Sequence, residues 1–225
     1  MSLTLSMHPL ASYCHKVLIA LHEKAVPFAA EVIDFSDPHS AAMLAERWPV
    51  ARIPVLRDEA TGRVIPESSI IIEYLDETCP GPRLLPEEDE LRLETRLWDR
   101  FFDNYVSTPM QKIVTDRLRA EDERDATGVA EARQTLDTSY AMIEAQLAEK
   151  TWATGATFTL ADCAAAPALF FATIVHPPPA GTARLSDYLE RLLERPSFRR
   201  VLDEAGPYFA LFPYRDAMPD RFLRP

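Results

Sequence analysis

The chain has 225 residues, 47% of them apolar and 26% charged, with a formal net charge of −11. That length allows one large domain or two small ones, and that composition can bury a core without disulfide staples. Residues 1–82 carry 6 Lys+Arg against 11 Asp+Glu and residues 83–225 carry 18 against 24, so both halves are acidic, which argues against a nucleic-acid or anionic-membrane surface but not against a small anionic ligand.

Leu3 to Met7 alternates like a strand, and Val17, Leu18, Ala20, Leu21 and Ala25 then recur at helical spacing. Phe28 to Ile33, opening after Pro27, reads as a second strand, so the three elements predict a parallel βαβ unit. Residues 40–48 form a short helix that stops before Pro49. Ile53–Leu56 and Arg63–Ile65 are two short strands joined by a turn over Asp58 to Gly62, and Glu67 to Glu77 is a helix. Cys79-Pro80-Gly81-Pro82 and the acidic run at 87–90 mark a boundary, giving an α/β unit over 1–82 and a second unit over 83–225. The second unit is all-α: one long helix over 88–123, then Ala130 to Lys150, Thr159 to Val175, Ser186 to Glu194 and Ser197 to Ala205.

Cys14, Cys79 and Cys163 are odd in number and widely spaced, which is neither a disulfide framework nor a zinc pattern, and the five histidines lack metal-ligand spacing. With no basic-then-apolar leader and no apolar stretch long enough to span a bilayer, the expectation is a cytoplasmic protein that uses no metal and no membrane.

Four segments carry chemistry. Ala11-Ser12-Tyr13-Cys14 sits where strand one turns into helix one, and free N–H groups and a positive dipole end there stabilise a thiolate. Ser12 can donate to a bound thiolate, or be a helix cap; Cys14 can be a nucleophile, or a small buried residue. Arg52-Ile53-Pro54 heads a strand, and a cis Pro54 would leave the Ile53 amide and carbonyl open to an extended peptide; the alternative is an edge-strand proline. Glu67 and Ser68 at a helix start can hold the ammonium and carboxylate of an amino-acid head group, or serve only as a cap. Thr159 and Asp162 have capping-box spacing, a structural device.

In order and spacing these segments resemble the glutathione transferase superfamily along nearly the whole chain: HPLASYCHKVLIAL its first strand–helix turn, RIPVL its proline-headed strand, PESSIIIEYL its glutamate–serine helix start, TFTLADCAAAP its buried capping-box helix. The resemblance implies a thioredoxin-like α/β N-terminal domain followed by an all-α helical bundle. It implies that Pro54 is cis, that Ile53 binds the cysteinyl backbone of glutathione, that Glu67 and Ser68 hold its γ-glutamyl head, and that Arg52 and His39 reach the tripeptide. It also implies a homodimer. The expected activity is transfer of the glutathione sulfur to a small apolar electrophile; by helix position Tyr105, Met110 and Phe171 are candidates to lie beside it, or else core packing residues. The chain departs from the pattern at Ala11, which stands where serine- and cysteine-type members place their activating residue. Ser12 is then the expected activating group. A Cys14-based disulfide reductase or isomerase and a non-catalytic binding protein are the alternatives.

Overall fold

The computed structural model describes residues 2–223. Seven elements make the first layer: β1 (Leu3–Met7), α1 (Ser12–Glu23), β2 (Ala29–Val32), α2 (Pro38–Arg47), β3 (Val55–Asp58), β4 (Arg63–Pro66) and α3 (Ser68–Thr78), with the sheet ordered β2-β1-β3-β4. β1 pairs parallel with β2, and antiparallel β3 and β4 complete the sheet on its other side. The βαβ unit arises because the apolar run of α1 is too helical to continue β1 and its buried face, from Val17 to Leu21, covers the sheet.

The second layer holds α4 (Asp89–Phe101), α5 (Thr108–Arg117), α6 (Ala126–Gln146), α7 (Leu160–Val175), α8 (Ala183–Glu194) and α9 (Pro196–Ala205). α7 is buried along almost its whole length and packs on both α1 and α4, so one core runs through both layers. Its first turn is fixed by the capping box of Thr159 and Asp162; the Asp162 carboxylate also accepts from the Ala153 amide at 2.8 Å and the Tyr188 hydroxyl at 2.6 Å.

The crossing between layers is held from below. Lys24 Nζ donates to Asp76 at 2.9 Å and to the Pro82 carbonyl at 3.0 Å, while Asp76 accepts from the amides of Leu84 and Leu85 at 2.8 and 2.7 Å. Gly81 has φ +105°, and a Cβ there would lie 2.8 Å from the Lys24 carbonyl oxygen, so only glycine fits this approach.

The expected single helix over 88–123 is interrupted. Residues Phe102–Ser107 form a π turn between α4 and α5. Pro109 is the cause: it has no N–H for the Tyr105 carbonyl, and its ring clashes with a regular turn before it. Ser139 on α6 instead donates to that carbonyl at 2.9 Å. The register change carries Asp103 and Asn104 to the side facing the first layer.

Candidate functional site

A cleft of about 970 Å³ lies between the layers, walled by the β1–α1 turn, the segment before β3, the start of α3, and the π turn with α5. Arg52, Ile53, Pro54, Glu67 and Ser68 form one rim of it. The Ile53–Pro54 peptide is cis. β3 opens only at Val55, and among the described residues the N–H and C=O of Ile53 make no backbone hydrogen bond.

Glu67 has φ +68°, a region that non-glycine residues enter at a cost of about 1–3 kcal/mol, and such strain collects at ligand sites. α3 has no side-chain cap. Its first backbone bond runs from the Ile71 amide to the Glu67 carbonyl at 2.9 Å, so the amides of Ser68 to Ile70 lie outside the ladder and offer an anion site.

Beneath that rim is a buried ionic cluster. Lys16 is fully buried, and its Nζ lies 2.6 Å from Asp99, 2.8 Å from Asp103 and 2.8 Å from Ser69 Oγ. Ser69 Oγ donates in turn to Asp99 at 2.7 Å, and Arg100 closes the cluster through Asp99 at 3.0 Å, Asp103 and Ser69. Burial, followed by the nearby Asp99 carboxylate, pushes the Asp103 carboxyl above its ordinary range even though Lys16 opposes this. The cluster joins α1, α3 and α4, and Arg100 and Asp103 also face the cleft.

The opposite side is the start of α1. Ala11 occupies the cap position and offers no side-chain bond. Its carbonyl accepts from the amides of Cys14 and His15 at 2.9 and 3.0 Å, which leaves the amides of Ser12 and Tyr13 as the open end of the helix. Tyr13 lines the cleft, but its hydroxyl donates to the Asp103 carbonyl at 3.2 Å, and burial raises its pKa. Thr108 donates to the same carbonyl at 3.0 Å, and Thr115 to the Gln111 carbonyl at 2.7 Å.

Three expected residues are not brought to the cleft. Ser12 is 3% exposed, and its Oγ accepts from Gln111 Nε2 at 3.3 Å. Cys14 points into the core at 0% exposure, where burial pushes its thiol up to about 12, the opposite of an activated nucleophile. His39 lies within α2, not in a loop before it; it is exposed, and its amide is capped by Asp37 at 3.0 Å. Nor do Tyr105, Met110 and Phe171 wall the cleft on its second-layer side: Met110 and Phe171 are in the core, and Tyr105 is exposed on the π turn outside the cleft lining. Asn104, Thr108, Gln111 and Thr115 stand there instead, at helical spacing on one face.

Asp99, Arg100 and Asp103 belong to no motif read from the sequence, and Lys16, although inside the first strand–helix segment, was given no role there. Their signal was present: a lysine inside the apolar run of α1, and carboxylates set among Trp98, Phe101 and Phe102, which demand partners once buried. Among the described residues no group of three or more His, Cys, Asp or Glu could hold a metal ion, and no helix is long and apolar enough to cross a membrane.

Family models described as the glutathione S-transferase N-terminal and C-terminal domains match residues 11–78 and 126–191. A stringent starvation protein A homolog of Coxiella burnetii is 32% identical over 90% of this chain and 92% of its own length. The glutathione S-transferase GstB of Escherichia coli is 27% identical over 83% of this chain and 91% of its own. The crystal structure of a glutathione S-transferase from Methylobacterium radiotolerans, in complex with glutathione sulfonate, superposes with a TM-score of 0.77 at 28% identity, covering 89% of this chain and 94% of that one.

Proposed function

Since the chain belongs to the glutathione transferase superfamily, we propose that it binds glutathione in the interlayer cleft and transfers the sulfur to a small electrophile. The observation that carries this reading is the convergence of Ile53–Pro54 and Glu67–Ser68, separate in sequence, on one rim of one cleft. The Ile53 amide and carbonyl pair with the cysteinyl backbone as an added strand. Ser68 and the open amides of α3 take the γ-glutamyl carboxylate, and Glu67 takes its ammonium group. Arg52 supplies a cation for the glycine carboxylate.

That placement sets the thiol against the start of α1. The open amides of Ser12 and Tyr13 and the helix dipole favour the thiolate over the thiol, whose ordinary pKa is about 8.5. The thiolate then forms a bond to the electrophilic carbon; with an aryl halide the halide departs with its electron pair, and with an enone the π electrons pass to the carbonyl oxygen and the enolate takes a proton from solvent. The electrophile rests against Asn104, Thr108 and Gln111. A homodimer belongs to the same reading: Ile70 on α3 and Leu93 and Leu97 on α4 are 53%, 72% and 63% exposed, an apolar surface that a second copy would cover.

A second reading is a protein that binds glutathione without turning it over. It is favoured by the absence, among the described residues, of an exposed and uncommitted hydroxyl or thiol at the α1 start, Ser12 and Cys14 being buried and Tyr13 committed to the Asp103 carbonyl. The name of the Coxiella relative is likewise not that of a transferase. A Cys14-based reductase has no support from a thiol buried in the core.

Calorimetric titration with glutathione, followed by conjugation assays against aryl halide and enone electrophiles, separates the readings. Saturable binding with conjugate formed faster than in buffer supports the transferase. Binding without turnover supports the second reading, and no binding at millimolar glutathione removes both.

A further inference from the structure

The hydroxyls that line the α1 side of the cleft have their hydrogens committed elsewhere, and Ser12, outside that lining, is covered. Tyr13 and Thr108 donate to the Asp103 carbonyl, Thr115 donates to the Gln111 carbonyl, and Ser12 lies buried beneath Gln111. Among the described residues that line the cleft, one side-chain donor without a hydrogen-bond partner remains beside the helix start. His8 follows β1 and lines the cleft next to Ala11. Its carbonyl accepts from the Ala11 amide at 3.0 Å, so residues 8–11 form a turn that folds His8 back over the first residues of α1.

The ring's orientation and tautomer follow from a second bond. The Leu10 amide donates to His8 Nδ1 at 3.1 Å, so Nδ1 is the acceptor and Nε2 carries the proton. Tyr208 meets the ring edge-on, centroids 5.9 Å apart, and steadies it from the second layer. Among the described residues Nε2 has no hydrogen-bond partner.

Building on the glutathione reading above, we infer that the Nε2–H of His8 donates a hydrogen bond to the glutathione sulfur and so makes His8 a catalytic residue. It does the work that a serine, cysteine or tyrosine hydroxyl or thiol would do, and Ala11 does not. No proton changes hands at the ring: the thiol proton leaves to solvent, and the neutral imidazole stays a donor throughout. Protonation of Nδ1 would turn an N–H against the Leu10 N–H, and burial also holds the His8 pKa below its ordinary value, with Asp34 opposing. The other charged groups that face this end of the cleft are Arg52, Arg100, Glu67 and Asp103, and none of them touches the ring; His15 lies beneath it in the core.

The test is titration of the bound thiol, followed by thiolate ultraviolet absorbance, in the full chain and in His8→Leu and His8→Gln. Gln places an amide N–H close to the position of Nε2. In His8→Leu the apparent pKa of the bound thiol rises by about one unit and neutral-pH turnover falls about tenfold. The glutathione Kd stays within about twofold, and His8→Gln recovers most of the lost turnover. An unmoved thiol titration in His8→Leu with glutathione still bound overturns the role of His8 and leaves the binding reading standing. Failure of the unmutated chain to bind glutathione overturns the reading itself. Should His8→Leu not fold, nitrogen NMR of the unmutated chain decides: Nε2 shifts with glutathione and not with S-methylglutathione if the inference holds, and equal shifts with both overturn it.

Discussion

The two sides of the cleft are built differently. The rim of Ile53–Pro54 and Glu67–Ser68 is made of short local segments, a strand head and a helix start, whose chemistry lies mostly in backbone amides and in the residue at the turn. The α1 side is made by packing. What Ser12, Tyr13 and His8 present to the cleft depends on Gln111, Asp103 and Tyr208, residues roughly a hundred or more positions away. A rim that rests on backbone tolerates drift in its neighbours; a surface that rests on tertiary contacts can exchange its activating group when one residue changes.

The largest effect should come from breaking the cluster that joins the two sides. Lys16→Met leaves Asp99 and Asp103 buried with Arg100 as the remaining cation, so unfolding free energy should fall by about 3–5 kcal/mol in urea titrations. An unchanged midpoint would mean the cluster is ornamental to stability and the rim stands alone.

The α1 side also carries a pH dependence of its own. His15 is fully buried, its ring tilted against Phe171 with centroids 5.6 Å apart and Nε2 on the Pro9 carbonyl at 2.5 Å, and burial lowers its pKa from 6.5 to about 4. Between those values the unfolded chain takes up a proton that the folded chain refuses, so this group's contribution to stability falls as pH falls, by about 1.4 kcal/mol per pH unit. His15→Leu should lack this slope when the two proteins are unfolded in parallel from pH 7 to pH 4. Parallel curves would show that His15 is not held neutral.

On the rim, Glu67→Gln and Ser68→Ala should each raise the glutathione Kd about tenfold in calorimetry while leaving stability nearly unchanged, since each removes a charge-assisted bond made only with ligand. A Kd unmoved by both would place glutathione elsewhere. The smallest effect is expected at Ser12: with its hydroxyl buried beneath Gln111, Ser12→Ala should change turnover by less than about twofold. A large loss would restore Ser12 as the activating group and displace His8.

Much of the fold was legible because local chemistry decides it. Alternation over Leu3–Met7 made a strand, the proline-headed segment led into β3, and the Thr159–Asp162 spacing built a capping box. The helix over 88–123 was misread because amphipathic periodicity cannot register one extra residue in a turn, and the consequence of Pro109 is visible only when Ser139 arrives from α6 to take the freed carbonyl. Tyr105 and Met110 were misplaced for that reason. Ser12 and Cys14 were assigned by residue type at a helix start, whereas exposure there is set by α5 lying over Ser12 and by the core closing on Cys14.

The sequence by itself determined the order of elements, the two-layer plan, the segments that form the backbone-built rim of the cleft, and the family. Those rest on hydrophobic period, on proline and glycine, and on helix-start chemistry, all of which act within a few residues. Only the tertiary structure decided which side chains of the α1 start reach the cleft and which donors remain uncommitted there. A hydrogen bond has one hydrogen to give, and whether Tyr13, Thr108 or His8 still has it depends on acceptors that the fold, not the local sequence, brings within reach.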